Sequence, residues 1–453
     1  MNIEIPDIFK AYDIRGLVDG ELSPDFAFAV GLAFARFLEI EREPSTVIIG
    51  EDMRPSSPEL AEAFSAGVTS NGTNVIRIGL ASTDMLYFAA GSKNLPGAMF
   101  TASHNPAEYN GIKLCLSGAR PIGKETGLLT IEKFVREGLP VAMRPPGVES
   151  NEDLLGAYAD YLHGLVSFKG NRSLKIVIDA GNGMAGYTAP AIFERLGAQI
   201  TPLYFELDGN FPNHEANPID PKNLRDLQKS VLENKADIGL AFDGDADRCF
   251  LVNEKGQAVD PSLLTSLIAS RELAKHPGAV IIHSLISSRA VVEVINESGG
   301  VPVRSRVGHS YIKALMAQTG AVFGGEHSGH FYFKDFWRAD SGALAALHAL
   351  AALGESDKTI SELLSPFQRY VASGEVNSRV EDVASVIQKI KEKYEILPEY
   401  SIDELDGLTI SSATWWFNIR ASNTEPLLRL NVEADTALNM SSHRDELLAL
   451  INA

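Results

Sequence analysis

The sequence predicts an α/β protein made of three related α/β domains with mixed sheets, followed by a C-terminal α+β domain. Three observations predict this. A strand, loop, helix, glycine turn and second strand recur three times. After each copy, a further apolar strand runs into a loop rich in reactive side chains. The C-terminal part instead reads as strands with segregated helices.

The first copy has a strand at Val47–Gly50, a helix near Pro58–Ser70, the turn Asn71-Gly72 and a strand at Val75–Gly79. The second has Lys175–Asp179, a helix near Met184–Leu196, Gly197 and Gln199–Tyr204. The third has Ala279–His283, a helix near Ser287–Glu297, Gly299-Gly300 and Pro302–Val307. Apolar strands alternating with helices imply parallel or mixed sheets covered on both faces. The repeat is longer than a solenoid unit and marks related domains.

Strand Gly97–Thr101 leads into a serine loop, Ile238–Phe242 into a carboxylate loop, and Ala321–Gly324 into Gly325–His330. Ligands of open α/β sheets bind at the carboxyl ends of strands, so these loops fit one shared site. Further on, Tyr370–Val380 and Leu408–Val432 read as strands, and Val383–Lys393 and Ser441–Ile451 as helices. A helix over Glu152–Ser167 opens the second domain, and Leu364–Phe367 forms the last linker. The expected domains are 1–150, 151–254, 255–366 and 367–453.

The composition, 45% hydrophobic and 22% charged, is that of a soluble globular protein and argues against disorder. A net charge of −19 argues against a nucleic-acid surface, which needs a clustered basic face. It leaves room for a small anionic substrate held by local cations. Cys115 and Cys249 lie in apolar stretches without metal spacing and read as buried reduced thiols. The N-terminus lacks the features of a signal peptide. The best apolar run, Gly342–Leu353, is too short to span a bilayer and contains His348. A cytoplasmic enzyme with no nucleic-acid or membrane partner is the expected class.

The carboxylate loop reads Asp243-Gly-Asp245-Ala-Asp247-Arg248. Alternate residues of an extended segment share one face, and three such carboxylates repel unless a cation neutralises them. Hard oxygen ligands, few in number, suit Mg²⁺ completed by phosphate oxygens. An EF-hand is the rival, with Glu254 at its twelfth position. Arg248 stands where that loop needs glycine, Leu251 where it needs an oxygen, and both flanks read as strands.

Ser103 lies in Thr-Ala-Ser-His-Asn-Pro, without the Gly-x-Ser-x-Gly elbow of an acyl-transfer nucleophile. Ser310–Lys313 matches Ser-x-x-Lys, but the accompanying acyl-hydrolase motifs are missing. Gly118–Lys124 nearly matches a P-loop, but Glu125 replaces the Mg²⁺-binding hydroxyl, which weakens an ATP-dependent kinase reading. Arg420 with Ser422, Asn423 and Thr424 gives a dense donor set for one phosphate. Glu326 and Ser328, flanked by glycines, can take paired sugar hydroxyls. Each segment alone also has an ordinary reading as a solvated turn or helix cap.

Together, in this order, FKAYDIRG (9–16), TASHNP, DGDADR, GEHSGH and RASNTEP resemble the α-D-phosphohexomutase family, over residues 9 to 426. The resemblance implies four domains around a central active-site cleft and reversible phosphate transfer between O1 and O6 of a hexose phosphate. It implies that Ser103 carries the phosphate. Asp243, Asp245 and Asp247, with a Ser103 phosphate oxygen, would hold one Mg²⁺. Glu326 and Ser328 would read sugar hydroxyls, and Arg420, Ser422, Asn423 and Thr424 would grip the remote phosphate. Tyr12, Arg15, Lys113, Arg248 and His309 would complete the site, with His330 and Lys113 as candidates for proton transfer. A hexose 1,6-bisphosphate would be intermediate and activator, and the protein a monomer or weak homodimer.

Thr101, His327 and Asn423 set the chain apart from the phosphoglucosamine branch and toward the phosphomannomutase/phosphoglucomutase branch. His327 stands where that branch often has Met, and Arg306 where Lys is common. A site that reads O3 and O4 is blind to C2, where mannose and glucose differ, so action on both is expected, with mannose as the main substrate. A glucose-preferring enzyme, a glucosamine-phosphate mutase and a non-catalytic sugar-phosphate binder are the alternatives.

Overall fold

The computed structural model describes residues 7–141, 143–170, 172–421 and 427–452. In the first sheet, Gly97–Phe100, Thr46–Glu51, Asn74–Leu80 and Glu149–Asn151 lie side by side in parallel. Tyr109–Leu116 runs antiparallel beside Gly97–Phe100 and pairs in turn with Ile14–Leu17. The second sheet orders Cys249–Asn253, Ile238–Phe242, Lys175–Asp179 and Gln199–Leu203. Its last three strands are parallel and its first is antiparallel. The third orders Val301–Ser305, Val280–Ser284, Phe323–Gly325, Phe331–Phe333 and Ala339–Asp340. It has the same parallel core, followed by antiparallel hairpin strands.

This shared topology places the chemistry. The serine, carboxylate and Glu326–His330 loops each join the last parallel strand of a sheet to its antiparallel neighbour. Topologically they are one loop in three versions, each at the carboxyl end of a parallel strand, where α/β sheets bind ligands.

The fourth sheet is antiparallel throughout, ordered Val371–Arg379, Leu427–Ala434, Trp415–Ala421, Leu408–Ser411 and Ser401–Asp403. Helices Val383–Glu395 and Ala437–Ile451 complete this unit and contribute Ile390, Tyr394, Leu447 and Ile451 to its core. The last helix starts one turn earlier than its apolar pattern predicts, because the Thr436 side chain caps it by accepting from Asn439 N–H. In the second domain the expected helix ends at Phe193 and continues as the 3₁₀ turn Glu194–Leu196. The helix that opens that domain is also shorter than expected, Leu155–Leu165.

One hydrophobic cluster runs through the first three units, from Ile48 and Met85 through Ile178 and Leu240 to Phe323 and Leu364. Helix Gly342–Gly354 lies within it, and its first twelve residues are all buried. A helix apolar on every side belongs inside a core or a membrane, and here it is inside a core. His348 is buried there, stacked on Phe333. The fourth unit has a core of its own. It meets the third through a small apolar contact, Trp416 on Leu285 and Ile286, and through polar bonds such as Arg289 to the carbonyls of Ser412, Ala413 and Trp415. Small polar contacts of this kind permit relative motion between domains.

Candidate active site

Ser103 N–H donates to Thr101 Oγ1 (2.9 Å), and Ser103 adopts φ +50°. That left-handed conformation is uncommon for a residue with a side chain and marks a constrained turn. The turn buries Ser103 and aims its hydroxyl at Asp243 Oδ2, 2.8 Å away. The backbones of the serine and carboxylate loops touch here. A Cβ on Gly244 would stand 2.3 Å from the Ser103 carbonyl oxygen, so the second residue of DGDADR must be glycine.

Asp243, Asp245 and Asp247 are at most 2% exposed, and one oxygen from each lies within 4.8 Å of the others. Lys113 Nζ lies 2.6 Å from Asp245 Oδ2 and 2.7 Å from Asp247 Oδ2. Arg248 Nε lies 3.2 Å from Asp243 Oδ2. Thr83 Oγ1 donates to Asp245 Oδ2 at 2.6 Å. Three carboxylates thus face two permanent cations. Burial, together with Asp247 and Asp245, pushes the Asp243 carboxyl up to about 8. Burial also opposes charge on Asp247, but Lys113, His330 and Arg248 outweigh it and hold that carboxyl well below its usual range.

Asp245 Oδ1 is buried with no hydrogen-bond donor among the described residues. Asp247 Oδ1 meets His330 Nε2 at 3.5 Å and Arg248 Nε at 3.9 Å, beyond good hydrogen bonding. Clustered, under-satisfied carboxylate oxygens fit a hard divalent cation. The loop joins two strands, not two helices, and Glu254 accepts from Ser361 N–H (3.1 Å), which removes the EF-hand reading. A second group, Asp247, His330 and Asp340, is equally compact, but Lys313 Nζ already lies 2.6 Å from Asp340. Lys313 is thus a buried ion-pair partner and not the lysine of an acyl hydrolase. Gly118–Lys124 forms a short turn and the edge strand Arg120–Pro121, not a strand-to-helix phosphate loop.

Glu326 is 2% exposed; its Oε1 accepts from Gly308 N–H (2.9 Å) and its Oε2 from the Tyr332 hydroxyl (2.6 Å). Oε2 also accepts from the Ser328 hydroxyl at 3.4 Å, so the protein orients the carboxylate and leaves Oε1 a second lone pair toward a sugar hydroxyl. Ser328 Oγ and His330 Nδ1 are 3.0 Å apart. Burial disfavours charge on His330, but Asp247 and Asp340 outweigh it and raise its titration above the ordinary value. His104 is held well below its usual value by burial and by Arg248, which its Nδ1 contacts.

Arg15 Nη1 donates to Asn105 Oδ1 at 2.5 Å, joining FKAYDIRG to the serine loop. A Cβ on Gly308 would meet the Tyr12 hydroxyl at 2.6 Å, so the first and third domains touch across the cleft. Burial pushes the Tyr12 phenol up to about 12. Arg420 is buried, with Nη2 2.6 Å from Glu375 Oε2 and Nη1 without a hydrogen-bond partner among the described residues. Ser422, Asn423 and Thr424 lie outside the described residues, as does the side chain of His309, which begins helix His309–Thr319.

The structure thus gathers Ser103, Lys113, Asp243, Asp245, Asp247, Arg248, Ser328 and His330 into one network. Arg15 joins through Asn105, while Glu326 and Tyr12 join through the Gly308 turn. Sequence reasoning missed four contributors. Thr83 follows Ser82 at a helix start, where capping hides its reach to Asp245. Asp340 and Lys313 lie far apart in sequence and meet only in the fold. Arg54 approaches the serine loop, and its one local signal is Asp52-x-Arg54 directly after the strand Thr46–Glu51.

Comparison with known proteins agrees with this geometry. Family profiles described as phosphoglucomutase/phosphomannomutase match in chain order: alpha/beta/alpha domain I over residues 6–139, domain II over 157–256, domain III over 260–370 and the C-terminal domain over 375–450. A phosphomannomutase of Escherichia coli K12 is 40% identical, covering 98% of both chains. A phosphoglucomutase of Neisseria gonorrhoeae is 38% identical over 99% of this chain and 97% of its own. A crystal structure of a phosphoglucomutase/phosphomannomutase family protein from Burkholderia thailandensis superposes with TM-score 0.89 at 32% identity, covering 98% of this chain and 96% of its own.

Proposed function

The chain belongs to the phosphoglucomutase/phosphomannomutase family, and from that premise we propose that it interconverts mannose 1-phosphate and mannose 6-phosphate, and glucose phosphates as well. Ser103 is the phosphate carrier, and a hexose 1,6-bisphosphate is both intermediate and activator. The single observation that carries this reading is the Ser103 hydroxyl, 2.8 Å from Asp243 of a buried triad of carboxylates.

Phosphoryl transfer asks a protein for positioning and charge neutralisation. Asp243, Asp245 and Asp247 would hold one Mg²⁺, which when bound supplies charge withdrawal from the phosphate on Ser103. Arg248 lies 3.5 Å from Ser103 Oγ and adds positive charge there. Lys113, held in its charged form by Asp245 and Asp247 against the effect of burial, suits the same task. His330, between Ser328 and Asp247, suits proton transfer. The sugar oxygen forms a bond to phosphorus, its proton passes to His330, and the bond from phosphorus to Ser103 Oγ breaks. The bisphosphate then turns end for end, and the reverse step returns phosphate to Ser103. Arg420, with Ser422, Asn423, Thr424 and His309, is assigned to the phosphate remote from the chemistry, and Tyr12, Arg15, Glu326 and Ser328 to substrate orientation.

The test compares kcat/KM for mannose 1-phosphate, glucose 1-phosphate and glucosamine 1-phosphate, with Ser103→Ala in parallel. Comparable activity on the first two and loss of turnover in Ser103→Ala are expected. A clear preference for glucosamine 1-phosphate, or full activity of Ser103→Ala, overturns the reading. A glucose-preferring enzyme is the second reading, favoured by the 38% identical relative named phosphoglucomutase. No helix among the described residues is long and apolar enough to cross a membrane. We take the enzyme to work in the cytoplasm as a monomer or weak homodimer, without nucleic-acid or membrane partners.

A further inference from the structure

We propose that Arg54 is a positioning residue for phosphoryl transfer: its guanidinium fixes the backbone of the serine loop so that Ser103 Oγ stays aimed at the metal-binding carboxylates.

Arg54 is 1% exposed, one of the largest fully buried side chains of the described chain. Four donor contacts leave its two terminal nitrogens, and all end on backbone carbonyls of one short turn. Nη2 donates to Ser103 O (3.0 Å) and Asn105 O (2.7 Å), and Nη1 to Pro106 O (2.8 Å) and Tyr109 O (2.9 Å). The remaining donor, Nε, turns to Asp52 Oδ2 at 3.3 Å. Asp52 is fixed by Ser57 Oγ (2.6 Å) and by the Arg54 amide (3.0 Å), and Ser57 Oγ accepts from Asn110 on the strand that leaves the loop. The guanidinium is thus tied at both ends of the turn it holds.

The second domain closes over this clamp. Arg54 Cζ lies 5.2 Å from the centre of the Phe211 ring, and a Cβ on Gly209 would meet Arg54 Cα at 2.7 Å. The serine loop is held from below by Arg54 and from the side by Gly244, so its geometry depends on two domains.

The turn cannot hold this shape by itself. Ser103 takes φ +50°, which a residue with a side chain keeps only where its surroundings over-determine it. Four hydrogen bonds from one rigid fork provide that. Lysine, a point charge with three donors on a flexible stem, cannot reproduce a four-carbonyl clamp. Because the terminal nitrogens are occupied by carbonyls, Arg54 acts through the loop and not on the transferred phosphate. A misplacement of about 1 Å in a reacting group costs about 100-fold in rate. Apart from Arg15, which Asn105 of this loop contacts, the groups assigned to sugar and remote phosphate lie on other loops, so the loss belongs chiefly in kcat and only by a few-fold in KM.

This inference rests on Ser103 as the phosphate carrier, and its test separates the two. Arg54→Lys and Arg54→Met are purified and checked for folding by circular dichroism and thermal melting. Ser103 loading from glucose 1,6-bisphosphate is followed by intact mass, and kcat and KM are measured separately. Expected are a folded protein, slow loading, a kcat lower by about 100-fold and a KM within a few-fold of wild type. Wild-type loading and kcat in folded Arg54→Lys overturn the inference, and so does a rise in KM at unchanged kcat. Failure of both variants to fold also overturns it, because Arg54 is then an element of the core alone. Full activity of Ser103→Ala overturns the underlying function instead.

Discussion

Replacing Lys113 by Met tests the electrostatics of the site most directly. The ammonium bridges Asp245 and Asp247 at 2.6 and 2.7 Å, and its side chain is 15% exposed. Removing one partner of a buried ion pair costs about 3–5 kcal/mol, because the remaining charge is left unpaired. Partial exposure of Lys113 puts the expected loss at the lower end, about 3 kcal/mol. At about 2 °C per kcal/mol for a large cooperative unit, the metal-free apparent Tm should fall by about 6 °C. A divalent cation competes with Lys113 for the same carboxylates, so the variant should bind Mg²⁺ more tightly. Binding at 100 times Kd is worth about 2.7 kcal/mol, or about 5 °C on the same scale, and the Mg²⁺-induced rise should exceed that of wild type. Turnover should nevertheless fall by about 100-fold or more, as when one preorganised donor is removed from a charge-stabilising site. Differential scanning fluorimetry in EDTA and across a Mg²⁺ titration, with a coupled mutase assay, measures all three. An unchanged metal-free Tm, or a Mg²⁺-induced rise no larger than in wild type, refutes the reasoning.

Ser103→Gly should be inactive yet no more than about 2 kcal/mol less stable than wild type by urea midpoint, since glycine adopts φ +50° without the cost of about 1 kcal/mol borne by serine, which offsets part of the lost hydrogen bond to Asp243. Gly244→Ala should lower stability by about 1–3 kcal/mol and depress kcat strongly, because its Cβ would press on the Ser103 carbonyl at 2.3 Å; urea midpoints and kinetics check both. Asp84 is fully buried, accepts from Tyr158 and Ser341, and burial pushes its carboxyl from 3.8 up to about 6. Its raised value means the folded state holds the proton more tightly than the unfolded chain. The resulting stability is present below about pH 4 and lost as pH rises through about 6. Asp84→Asn should therefore flatten the fall in urea midpoint between pH 4.5 and 6.5, set against wild type in the same buffers.

Much was legible in the chain because it depends on local pattern. Three alternating carboxylates, a serine before His-Asn-Pro, and strands followed by helices and glycine turns are short-range signals. Five such motifs in one order sufficed for the family and the fold class. Element ends were less legible where capping decides them, as at Thr436, or where an α-helix tightens to 3₁₀ after Phe193. The division of the core was not legible at all. Three units that read as separate domains share one hydrophobic cluster besides a smaller cluster within each, while the fourth unit's core is separate from theirs. Apolar periodicity shows which face of an element is buried but not which neighbour covers it.

The sequence by itself set out the expected inventory of the candidate site: Ser103, the carboxylate triad, Lys113, Arg248, Glu326, Ser328, His330 and Arg420. Their identities are set by the chemistry each must perform, and residue type is what a sequence records. Only the tertiary structure decided how they act. It showed that one hairpin position, used three times, brings the loops together. It showed that Lys113 neutralises Asp245 and Asp247, that Glu326 is already oriented by Gly308 and Tyr332, and that Gly244 lets the serine and carboxylate loops touch. It also brought Arg54 under the serine loop from a position 49 residues away in the chain. Contacts of this kind depend on distances between segments that share no local pattern, and burial makes each of them strong.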